Sequence, residues 1–304
     1  MTGKDLLGGI EAGGTKFVCA VGTGPDDLEV AAFPTVSPDE SIRRAVAFFR
    51  GAAGPRLSSL GIASFGPIDL DQRSSTYGRI TTTPKAAWRD FDIVGAVAKA
   101  LPVPVAFETD VNAAALAEGE WGAARDVDDY VYITVGTGIG GGVVVRRRPV
   151  HGLLHPEIGH LHVMRCDGDS FPGICPFHGN CLEGLASGPA LAKRWGCSPE
   201  NLPATHPAWE LEAQYLAMAL CTLVYTLSPQ RFILGGGVMQ QEGLLPVIRR
   251  HVARMLNGYI ERPELRDAID GYIVPPGLRS HSGVLGGIFI AGQLLQRLKQ
   301  EGLN

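Results

Sequence analysis

Short apolar runs alternate with amphipathic stretches along the whole chain. Residues 6–10 are apolar and give way to the turn Glu11-Ala12-Gly13-Gly14-Thr15, after which residues 17–21 are apolar again. That pattern predicts two strands joined by a glycine-rich turn. It returns later, where residues 130–135 lead into Gly136-Thr137-Gly138-Ile139-Gly140-Gly141-Gly142 and residues 143–145 follow. Strand, glycine-rich turn and strand thus occur twice, and the repetition reads as two related lobes, not a solenoid array.

Between these hairpins, residues 41–50 read as a helix and residues 60–65 as a strand before the turn Gly66-Pro67. Residues 91–100 read as a helix with Asp90 as its N-cap. Residues 103–108 read as a strand, and residues 111–121, rich in Ala, Leu and Glu, as a helix. Further on, residues 189–195, 209–227 and 244–256 read as helices, and residues 231–234 as a strand running into Gly235-Gly236-Gly237. A last helix is expected over about 284–299. The alternation of strands and helices favours an α/β fold.

With 304 residues, 45% of them hydrophobic, the chain can bury two medium cores. The boundary is expected near residue 119. Charge is nearly balanced, 27 Lys+Arg against 31 Asp+Glu, which calls for neither nucleic acid nor an anionic membrane. Arg146, Arg147 and Arg148 form a tight basic cluster and read as a solvated turn. No apolar stretch is long enough to cross a bilayer. The N-terminal segment lacks the order of a signal peptide, so a cytoplasmic setting is expected. Six cysteines in such a chain do not suggest a disulfide framework. Cys19, Cys166, Cys197 and Cys221 read as free thiols, with Cys19 and Cys221 buried.

Four constellations carry chemistry. Glu11 to Lys16, EAGGTK, sets a carboxylate before a glycine turn and a hydroxyl and a cation after it. Glycines let backbone N–H groups face a phosphate, Thr15 can bond an oxyanion, and Glu11 can hold the water shell of Mg²⁺. This is not a Walker A loop, and by itself it fits an ordinary hairpin equally well. The turns at Gly136–Gly142 and Gly235–Gly237 repeat the arrangement, and three such turns suggest a nucleotide gripped by two lobes. Asp110 follows a strand and opens a helix. It reads either as the N-cap or as a general base kept ionised by the helix N-terminus. Finally, Cys175-x-x-His178-x-x-Cys181, with His160 upstream, supplies two thiolates and two imidazoles. That set suits a structural zinc with no open coordination position. His151, His155 and His162 compete for the fourth place.

These residues resemble a known family. EAGGTK, the Asp110 junction, GTGIGGG, EIGH, CPFHGNCLEG and GGGVM follow the order found in the ROK (repressor, open reading frame, kinase) family of sugar kinases, from Gly8 to about Gln293. The resemblance is strongest to bacterial ROK fructokinases, which share a YGxITxTPKxxW segment, here residues 77–88. It implies a two-lobed actin/hexokinase-like (ribonuclease H-like) α/β fold with an interlobe cleft and a zinc-binding loop. The lobes would be residues 1–119 with a returning helix over about 288–304, and residues 120–287. It further implies an ATP-dependent hexose kinase, with Asp110 as catalytic base. Thr82, Asp110, Glu157, His160 and Glu183 would bind the sugar. Gly13, Gly14, Thr15, Lys16, Thr137, Gly138, Gly236 and Gly237 would bind the nucleotide. His160, Cys175, His178 and Cys181 would hold zinc, Mg²⁺ would accompany ATP, and a homodimer is expected. Thr109-Asp110 in place of Asn-Asp, and His178 in place of a cysteine, point away from glucokinase and towards fructose. A glucokinase, a mannose or N-acylmannosamine kinase, or a non-catalytic sugar-binding regulator are the alternatives on the same fold.

Overall fold

The computed structural model describes residues 5–302. The chain forms two compact units: Met1–Gly122 with Pro149–His155 and Ser280–Asn304, and Ala123–Arg148 with Pro156–Arg279.

In the first unit, β1 (Leu6–Ala12) and β2 (Lys16–Gly22) form the expected antiparallel hairpin. Strand β3 (Glu29–Pro34), which the hydrophobic pattern does not mark, pairs with the outer side of β2. It lies at an edge, so it buries too little to show an apolar run. Helix α1 (Pro38–Ala52) leads to β4 (Leu57–Ser64), which runs parallel to β1. The short strands β5 (Arg79–Ile80) and β6 (Phe91–Asp92) pair with each other before α2 (Ile93–Ala100). That pairing delays the helix, so Asp92 is its cap, accepting the Gly95 amide at 2.7 Å. Asp90, expected in that role, sits at φ 58° in the preceding turn. Strand β7 (Val105–Thr109) and helix α3 (Asp110–Glu120) follow. The sheet order is β3-β2-β1-β4-β7.

The second unit starts with β8 (Tyr130–Val135), β9 (Ile139–Val145) and the short β10 (Arg148–Pro149). The glycine turn is shorter than its sequence suggests, because Ile139 already pairs with Val135 and Gly140–Gly142 belong to the strand ladder. Arg146 and Arg147 make an exposed turn at φ 52° and 60°, as expected of a solvated cluster. Then come α4 (Leu182–Ala186), α5 (Gly188–Trp195), α6 (Ala208–Leu227), β11 (Arg231–Gly235), α7 (Leu244–Leu256), α8 (Pro263–Arg266), α9 (Ile269–Tyr272) and β12 (Ile273–Val274). The order here is β10-β9-β8-β11-β12, with β8, β11 and β12 parallel. Both sheets therefore follow one plan, a glycine-turned hairpin flanked on its first strand by two parallel strands. This is the internal repeat seen in the hydrophobic pattern.

The last helix, α10 (Ser282–Gln300), packs on α3, β1 and β4 of the first unit. A side chain on Gly61 would come within 2.0 Å of the Gly287 carbonyl, so this approach requires small residues. Ser59 donates to the Ala291 carbonyl at 2.9 Å, and Ser282 to Glu118 at 2.7 Å. The returning segment starts at Ser280, ahead of the expected residue 288, because contacts with α3 already begin at Ser282. All six cysteines are free, and Cys19 and Cys221 are buried. Among the described residues no helix is long and apolar enough to cross a membrane.

Candidate active site

Asp110 is the first helical residue of α3, and Thr109 caps the helix by accepting the Asn112 amide at 3.1 Å. The capping reading of Asp110 thus passes to its neighbour. The Asp110 carboxylate accepts the adjacent Val111 amide at 2.9 Å. Burial is the main cause that raises Asp110 to about 6. Glu11, near the end of β1, is raised to about 7, by burial first and by the Asp110 charge second, against pulls from Lys16 and the Val284 amide. Two carboxylates that titrate near neutrality suit proton transfer at physiological pH. Below them Glu108 is buried, accepting Thr109 N at 2.8 Å and Asn112 Nδ2 at 2.9 Å, with His151 Nε2 2.9 Å from its other oxygen.

The first glycine turn belongs to the same unit. Gly13 N donates to the Lys16 carbonyl at 3.0 Å, and Thr35 clasps the turn with its hydroxyl on Gly13 O (2.6 Å) and its amide on Thr15 O (2.9 Å). Thr15 and Lys16 are exposed. Thr82 is exposed on the loop after β5. Lys85, three residues on, was not singled out. Its Cε lies 3.2 Å from where a Gly14 Cβ would stand, so a cation covers the turn. The signal was the Pro84-Lys85 pair within the family-like segment.

In the second unit two glycine turns meet. Gly136 N donates to Gly138 O at 2.9 Å. Gly236, at φ 96°, abuts β8 so closely that a Cβ would lie 2.3 Å from Val135 O. Thr137 and Gly237 are exposed beside this junction. Glu183, on α4, accepts the Ile139 amide at 3.0 Å. Glu157 is exposed just before the 3₁₀ turn that carries His160.

His160, Cys175, His178 and Cys181 converge, with their ligand atoms all within 4.8 Å of one another. His160 Nδ1 lies 3.5 Å from Cys181 Sγ and 3.8 Å from Cys175 Sγ, and His178 Nδ1 lies 3.6 Å from Cys175 Sγ. Cys175 and Gly179 exchange two backbone hydrogen bonds that fold the knuckle. Two thiols and two imidazole nitrogens at this spacing fit a zinc ion. Burial pushes the Cys181 thiol up to about 11, a cost that a bound dication removes. The competing histidines go elsewhere. His151 pairs with Glu108, and His155 accepts the Ile68 amide at 3.2 Å. His162 stays beside the cluster without joining the four, its ring centroid 5.8 Å from that of His178. On an extended segment residues two apart share a face, and His162 is in such a segment, bridged to Cys181.

The sequence profile of the ROK family matches residues 7–293. The chain is 43% identical to the fructokinase of Pediococcus pentosaceus over 96% of this chain and 99% of that protein. It is 43% identical to the fructokinase of Zymomonas mobilis subsp. mobilis over 95% and 97%. Among solved structures, a ROK family glucokinase from Streptomyces griseus in complex with glucose and AMPPNP superposes with TM-score 0.78 at 26% identity, covering 95% of this chain and 99% of that one. With its motifs in order from the first glycine turn to the last helix, this chain belongs to the ROK family.

Proposed function

We propose that this chain is an ATP-dependent fructokinase, converting D-fructose and ATP into fructose 6-phosphate and ADP. The observation that carries the reading is Asp110. Relieved of capping by Thr109, it offers a carboxylate raised to about 6 in a chain over 40% identical to proteins named fructokinase. Asp110 accepts the proton of the primary hydroxyl as the oxygen attacks the γ-phosphorus in line, and ADP leaves. Backbone amides of the turns at Gly13–Thr15, Thr137–Gly138 and Gly236–Gly237 hold the phosphates, with Lys16 adding charge. Thr82, Glu157, His160 and Glu183 bind sugar hydroxyls. A bound Mg²⁺ screens phosphate charge, and Glu11 is the hard oxygen donor suited to its water shell. His160, Cys175, His178 and Cys181 hold a structural zinc. His160 faces the thiols with Nδ1, which leaves its other ring nitrogen for a hydroxyl. A homodimer in the cytoplasm completes the reading, in keeping with six free cysteines.

A coupled ATP assay over a hexose panel tests it. Fructose-dependent ADP release is expected, and Asp110→Asn should lower that rate by about 10²–10⁴-fold while sugar binding persists. ATP consumption indifferent to every hexose would remove the kinase reading. Near-normal turnover in Asp110→Asn would remove the base.

A further inference from the structure

The Cys/His loop and the second glycine turn are one mechanical unit. The two segments that carry His160 and Cys181 both close on Ile139, the residue that ends the turn. On one side, Gly159 in the 3₁₀ turn of His160 lies so near that a Cβ would stand 1.9 Å from Ile139 O. On the other, Glu183 on α4, just past Cys181, accepts the Ile139 amide at 3.0 Å. Its carboxylate also fills the space over Gly138, where a Cβ would meet Oε2 at 2.6 Å. Beyond the far end of α4, Gly188 N donates to Gly136 O at 2.8 Å. The segment from Glu183 to Gly188 therefore spans the turn, bonded to Ile139 at one end and to Gly136 at the other. The two ligand-bearing segments are tied to each other by the Leu182 amide on Leu161 O at 2.9 Å.

We infer that Glu183 is a positioning residue for the turn Gly136–Gly138, so that the Cys/His loop sets nucleotide affinity through it as well as shaping the sugar pocket. The inference rests on the nucleotide role proposed for that turn. One carboxylate then serves both substrates: Oε2 fixes the turn, and the other oxygen remains for sugar. A glycine turn has many accessible conformations when free. Fixing it from both ends before the nucleotide arrives lowers the ordering cost of binding.

Titration of the full chain with MgADP in the absence of sugar tests this, with melting temperature and zinc content measured on the same samples. Glu183→Ala should weaken MgADP binding about tenfold, the scale of a lost charge-assisted bond. Glu183→Gln, whose amide oxygen still accepts from Ile139, should stay within about threefold of the parent. Gly138→Ala pushes a methyl group onto the carboxylate and should weaken MgADP binding on its own. In the Glu183→Ala background it should add little, because the two changes act on one contact. Parent-like MgADP affinity in Glu183→Ala, or in Gly138→Ala should the first variant not fold, overturns the inference. So does an equal loss in Glu183→Ala and Glu183→Gln, which would assign the effect to charge alone. Fructose-dependent turnover by the parent chain scores the kinase reading separately. That reading can stand while the brace fails, or fall while MgADP affinity still tracks Glu183.

Discussion

Asp110 joins its proposed chemical role to a stability cost. Its carboxyl is ordinarily half-ionised at 3.8 and is raised by burial to about 6 in the fold. The folded state therefore binds the proton more tightly than the unfolded chain, and the stability this gives is lost as pH rises from about 4 to about 6. At pH 8 the fold carries an ionised, desolvated carboxylate at a cost of up to about 3 kcal/mol. Asp110→Asn should consequently melt higher than the parent at pH 8 and near the parent at pH 4, a comparison that calorimetry makes directly. In the parent enzyme kcat/KM for fructose should fall below about pH 6 as the base takes up its proton. Thr109→Val, by contrast, should cost about 1 kcal/mol through the lost cap. The strand-to-helix junction made Asp110 legible in the sequence. Which of two adjacent good caps would do the capping was not, because a shift of one residue at the helix start decides it. Thr35 was illegible for a different reason, since it reaches the first turn across the fold and not along the chain.

At the scale of the element, the proposed zinc would shape the Cys/His loop through its four ligands. Between β10 and α4 the chain has only a 3₁₀ turn and isolated bridges. The knuckle needs Gly173 and Gly179 at φ 83° and 65°. Little apolar burial holds such a segment, so the proposed zinc would supply its order. Cys181→Ser should lower bound zinc below one equivalent, and limited proteolysis should then cut within residues 162–180 before other sites. Unchanged zinc content and cleavage pattern would detach the cluster from any metal role. The ligand spacing was plain in the sequence. What the loop leans against was not, because Ile139 is distant in sequence and three of the five glycines around it, which read as a turn, are strand.

For the whole molecule, two sheets of the same order are each built on a glycine-turned hairpin. Both hairpins were legible from alternation and glycine clusters. The strand orders were not, since parallel pairing depends on segments far apart and edge strands such as β3 carry little pattern. The junction of α10 with β1 and β4 tolerates no bulk. Gly61→Val, which drives side-chain atoms into the Gly287 carbonyl, should destabilise by more than about 3 kcal/mol, seen as a lower denaturation midpoint. That junction also bears on biosynthesis. The helix that completes the first unit is made after the whole of the second unit, which apart from Pro149–His155 is continuous from Ala123 to Arg279. Nascent chains of this protein should therefore gain protease resistance in the reverse of translation order, the later-made unit first. During that interval the early strands, with no covering helix, are the natural clients of chaperones.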